Sequence, residues 1–89
     1  MPKAEISWKR VTEEGTKLQV NAQRVGGEWL FSQREKRFDQ WQRVANPPLE
    51  DWLELLDAIG RLVTRRRLQP DHEDRVRRRI REKFPEAKI

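Results

Sequence analysis

The residues of this chain best suited to chemistry are arginines, and they gather in its last third. Arg65, Arg66 and Arg67 stand together, and Arg75, Arg77, Arg78, Arg79 and Arg81 follow with Lys83. Residues 61–83 hold ten Lys or Arg against four Asp or Glu, whereas residues 1–60 hold nine against ten, so the net charge of +5 is concentrated near the end. The planar, forked guanidinium matches phosphate oxygens in a way the point charge of lysine does not. A ridge of such groups is the electrostatic footprint expected of a protein that holds the phosphates of DNA or RNA. The competing reading is structural: several of these arginines pair with Glu73, Asp74, Glu82 and the acidic side of the preceding segment, and the rest are solvated. Net charge alone does not separate the two, because a pI near 10.2 is also found among proteins that touch no nucleic acid.

A second set lies in the first half. Lys9, Gln19, Asn21, Gln23 and Arg34 are residue types that read base edges, and a narrow antiparallel sheet can enter a major groove. An open sheet face in water must be polar in any case. Trp8, Trp29 and Phe31 could stack on bases, but they alternate in phase with Leu18 and Val20 and are read as core. Trp41 is the aromatic whose placement the sequence leaves open.

Other chemistry finds little material. There is no Cys and only one His, which removes thiolate metal sites, disulfides, cysteine nucleophiles and most histidine metal sites. His72 sits beside Asp71 and Glu73 at a helix start and reads as an exposed terminal residue. Ser7, Ser32, Thr12, Thr16 and Thr64 have no His or Lys that sequence places beside them. Glu50, Glu54 and Asp57 fall on a solvated arc, and Gly26-Gly27 precedes a strand, not the helix a phosphate loop requires. No catalytic residue, metal ligand or cofactor is expected.

The elements that must position these residues are organised around residues 48–68, PLEDWLELLDAIGRLVTRRRL. On a helical wheel Leu49, Trp52, Leu53, Leu55, Leu56, Ile59, Leu62 and Val63 cover about half the cylinder. At about 1.5 Å per residue this helix would span about 30 Å. Asn46 is a good N-cap, the prolines that follow suit a first turn, and Arg65–Arg67 close the far end where cations are favoured. Gly60 lies on the apolar face and marks either close approach to the sheet or a break, with continuity favoured by Leu62 and Val63. A second, Arg-rich helix runs from Gln69-Pro70-Asp71 to about Lys83, with a thin stripe of Val76, Ile80 and Phe84, and Pro85 ends it.

Ahead of these, residues 6–12, 17–25 and 28–34 alternate as strands joined by turns at Gly15 and Gly26-Gly27. One face carries Ile6, Trp8, Leu18, Val20, Ala22, Trp29 and Phe31. The other carries Ser7, Lys9, Lys17, Gln19, Asn21, Gln23, Ser32 and Arg34, with Val11, Val25 and Leu30 as apolar exceptions. In residues 35–46 the three-residue spacing of Phe38, Trp41 and Val44 favours a helical turn over a fourth edge strand, with both aromatics closing the end of the core.

The expected architecture is α+β: a three-stranded antiparallel meander packed on a long amphipathic helix, followed by the shorter Arg-rich helix. One small domain over residues 1–89 is expected, with 1–5 and 86–89 frayed. Its charged fraction of 39% and mean hydropathy of −1.06 leave a modest core. No run approaches a membrane span and no signal peptide is visible, so a cytoplasmic, non-enzymatic protein with no membrane partner is expected. The function expected is a small module binding DNA or RNA through its Arg-rich region. The alternative is a protein-interaction or homodimerisation module using a sheet edge or the wide apolar helix face, with Leu55 and Leu62 exposed at its border.

Overall fold

A computed structural model describes residues 5–36 and 39–89. It shows an α+β chain in the order β1 (Glu5–Val11), β2 (Lys17–Val25), β3 (Glu28–Arg34), β4 (Gln42–Val44), α1 (Leu49–Thr64) and α2 (Pro70–Lys83). The chain divides into two compact units, Met1–Pro47 and Pro48–Ile89, described in turn.

The first unit is a four-stranded antiparallel sheet in sequence order, β1-β2-β3-β4. Its registers follow from its turns. Gly26 and Gly27 have φ of 59° and 85°, the paired positive angles of a tight hairpin turn whose twist suits the strands, and they place Val25 opposite Glu28. At the β1–β2 turn Gly15 has φ 88°. There the Thr16 amide donates to the Thr12 hydroxyl at 3.1 Å, so one of the candidate hydroxyls has a turn-forming role. Rows Ile6–Ala22–Phe31–Val44 and Trp8–Val20 share a face, and on it Leu18, Val20, Ala22 and Phe31 are buried. Trp8 meets Phe31 edge-to-face, with centroids 6.1 Å apart. The two-face division expected from the alternation is the one observed.

The fourth strand corrects the preference for a helical turn. Phe31 pairs with Val44 and Ser32 with Arg43, so the β3 ladder captures the segment regardless of its local spacing. Val44 is in the strand, Trp41 lies just before it and is 41% exposed, and Phe38 falls outside the described residues. Trp41 therefore does not close a core.

The second unit is a helical hairpin. Asn46 is not the cap of α1: Pro48 is, in extended conformation with no side-chain cap bond. Each proline disfavours helical angles in the residue before it, which keeps Asn46 and Pro47 out of the helix, and Pro48 is itself extended, at ψ 159°. On α1 Trp52, Leu55 and Ile59 are buried, with Asp51 near the positive end of the helix dipole. Val76 and Ile80 of α2 are buried as well. The helices run antiparallel, since a Cβ on Gly60 would stand 3.7 Å from a Glu73 carboxylate oxygen while Lys83 lies 6.0 Å over the Trp52 ring. Gly60 does not break α1, and its near neighbour is Glu73 at ordinary contact distance. Leu55, which the interaction-module alternative would leave exposed together with Leu62, is 0% exposed, and Leu62 is half-buried; the exposed leucine of α1 is Leu53, at 38%.

α1 ends four residues before Leu68. The amide of Arg66 donates to Val63 O at 2.9 Å and that of Arg67 to Leu62 O at 2.8 Å, the paired bonds of a Schellman ending. Its left-handed position, usually glycine, is Arg66 at φ 60°. That conformation costs a non-glycine residue about 1 kcal/mol or more.

Two stability predictions follow from these placements. Trp52→Ala should cost about 3–5 kcal/mol and lower the thermal midpoint by more than about 10 °C; a midpoint within about 2 °C of the parent would contradict its burial. Arg66→Gly should stabilise by about 1 kcal/mol, whereas Arg66→Ala, which keeps a Cβ, should not. Equal midpoints for the two variants would show that the left-handed angle carries no cost.

Candidate nucleic-acid interface

The basic residues are not one ridge. Arg65, Arg66 and Arg67 lie at and just beyond the end of α1 and are exposed. Arg65 is the C-cap, its amide bonded to Arg61 O at 3.1 Å, and the Schellman turn directs the chain through the other two. No ion pair engages any of the three among the described residues. The α2 arginines are spread along 14 residues, about 20 Å of axis, and most are already engaged. Arg75 pairs with Asp71 at 3.6 Å and Arg79 with Glu82 at 3.8 Å. Arg77 donates to Glu73 at 3.0 Å and is half-buried. Arg81 donates through Nε to the Ile89 backbone oxygen at 2.8 Å. Arg78 is exposed, with no ion pair among the described residues. The structural reading of the cluster thus holds for Arg75, Arg77 and Arg79, and the pairing acids are Asp71, Glu73 and Glu82.

An open depression of about 740 Å³ on this hairpin is lined by Leu53, Leu56 and Gly60, the Asp57–Arg61 and Glu73–Arg77 pairs, and Arg65. Its charges cancel except for Arg65.

On the sheet, the five expected residues do share the polar face, in two groups. Lys9, Gln19 and Arg34 form one cross-strand row. Arg34 donates through Nε to Gln19 Oε1 at 2.6 Å, and its guanidinium lies 4.2 Å over the centre of the Trp41 ring. Asn21 and Gln23 sit nearer the other end, where Glu5 faces them. Asn21 is 6% exposed and donates to Glu5 Oε1 at 2.6 Å, with Ser7 Oγ accepting from the same nitrogen at 3.1 Å. Gln23 reaches Glu5 Oε2 at 3.5 Å. The Asn21 donors are committed within the sheet, and the carboxylate beside Asn21 and Gln23 repels phosphate, so this end is poorly suited to nucleic acid.

Sequence reasoning missed three participants. Arg43 joins the polar face opposite Ser32, hidden because a three-residue strand has too little alternation to read. Glu5 was reachable, since counting back from the Gly15 turn sets it opposite Gln23. Trp41 carried no signal beyond its type. Among the described residues no group of three or more His, Asp or Glu is gathered to hold a metal ion, and no helix is long and apolar enough to cross a membrane. Compared with known proteins, the chain matches no family model, no curated protein and no solved structure.

Proposed function

We propose that this protein is a nucleic-acid-binding module whose helical unit grips phosphates through Arg65, Arg66, Arg67 and Arg78. The observation that carries the reading is the set of exposed arginines at the end of α1 with no ion pair among the described residues. It includes Arg66, held in a left-handed position where glycine would be cheaper. Dipole matching accounts for a cation or two near a helix C-terminus, not for three in succession. The arginines engaged in i,i+4 pairs are secondary contributors, because each must exchange a carboxylate for a phosphate.

Four free arginines imply about four neutralised phosphates and a log–log salt slope on duplex DNA of about −3 to −4. Replacing Arg65, Arg66 and Arg67 together by Gln should move that slope toward zero by about 2 to 3 units, while Arg77→Gln should shift it by less than about 0.5. Fluorescence anisotropy across a salt series reads both. No binding to duplex, single-stranded DNA or RNA at about 50 mM salt would end this reading.

A second reading, self-association, is favoured by one observation: β1 is a seven-residue edge strand with Val11 61% exposed. It predicts a dimer in sedimentation at tens of micromolar protein. A monomer of 10.8 kDa would refute it.

A further inference from the structure

We propose that the Arg34–Trp41 stack on the polar face of the sheet is a subsite for single-stranded nucleic acid, taking an unpaired base against the stack and the flanking phosphates on Arg34, Lys9 and Arg43. The proposal rests on the nucleic-acid reading above but uses different residues on a different unit.

Arg34 is fixed before any ligand arrives. Gln19 accepts from its Nε at 2.6 Å, and its guanidinium carbon lies over the Trp41 ring, 4.2 Å from the ring centre. No carboxylate pairs with it among the described residues, so its two terminal nitrogens are open to an oxyanion. A guanidinium held on two sides loses little further freedom on binding, which is how preorganisation raises affinity. Trp41 is 41% exposed even with the guanidinium over one face of its ring, so much of the indole surface remains open to solvent. Unpaired bases stack on aromatic rings and on arginine planes alike.

The surroundings favour a polyanion over a peptide. Lys9 stands in the same row two strands away, about 10 Å at ordinary strand spacing. Arg43 lies diagonally adjacent, opposite Ser32 on β4. The acids of this face, Glu5 and Glu28, stand toward its other end, and Glu5 is engaged by Asn21 and Gln23. A duplex keeps its bases inside and cannot use such a site, so the site discriminates strandedness.

The test is anisotropy on a labelled 12-nucleotide thymidine oligomer and on a duplex of the same length, with the thermal midpoint of each variant recorded. The intact protein should bind the single strand at least fivefold more tightly than the duplex. Trp41→Ala should lower single-strand affinity about tenfold and change duplex affinity by less than twofold, while Trp41→Phe keeps at least half the parent's single-strand affinity. Arg34→Lys, which preserves charge but not the planar stack, should also lose single-strand affinity, and it decides the matter if Trp41→Ala lowers the thermal midpoint. Duplex binding with the salt slope expected from Arg65–Arg67, but no single-strand preference and no effect of either variant, overturns this proposal and leaves the phosphate reading standing. No binding to either oligonucleotide overturns both.

Discussion

Scarcity of apolar surface is the constraint behind the rest of the structure. With 39% of its residues charged, the chain buries nine aliphatic or aromatic side chains among the described residues, four on the sheet and five on the helices. A domain of this size retains only a small margin between opposing terms. Each of these residues therefore matters more than it would in a larger protein, and each element must present its few apolar groups in phase. The sheet does so by strict alternation, so that Val20, Ala22 and Phe31 fall together. The helices do so with Trp52, Leu55 and Ile59 on α1, and with a pair of residues one turn apart, Val76 and Ile80, on α2.

The abundance of charge is managed locally. Asp57–Arg61, Asp71–Arg75 and Glu73–Arg77 all place the acid four residues before the base, the favourable order along a helix. The Asp57–Arg61, Asp71–Arg75 and Arg79–Glu82 pairs join side chains about half or more exposed, and such pairs add little stability individually. Their larger effect is to divide the arginines of the helical unit into those with a carboxylate partner and those without one among the described residues, Arg78 and the three at the end of α1. The polar face of the sheet is divided in the same manner, with Glu5 engaging one end and the Trp41-backed Arg34 defining the other.

Much of this was legible in the sequence where local rules dominate. The Gly15 and Gly26-Gly27 turns set strand registers, alternation set the faces, and Pro70 with Asp71 and Glu73 marked the start of α2. The losses came where a local pattern was overruled. Phe38, Trp41 and Val44 recur with a helical period, yet Val44 is recruited by the β3 edge, a long-range pairing that spacing cannot register. Asn46 has the chemistry of a cap and the wrong neighbours, since two prolines delay the helix. The site was legible as residue types and not as partnerships: nothing in the sequence says that Gln19 would be spent on Arg34, or that Asn21 and Gln23 would bind Glu5. Arg77 and Arg78 look alike in the chain, and only helical geometry makes one a partner of Glu73 and leaves the other in water.

The order of the sheet has a further consequence for how the protein is made. Every strand pairs with its neighbour in sequence, and the two long ladders close through short turns, so loop-closure entropy is low at each step. During synthesis the β1–β2 hairpin can form once Val25 has left the ribosome, β3 can then add to it, and β4 completes the sheet before any of α1 emerges. An order of assembly that follows the order of translation shortens the time that unpaired strand edges are exposed. For a chain with so few apolar groups, a sheet paired in sequence order needs no later segment to complete its ladders.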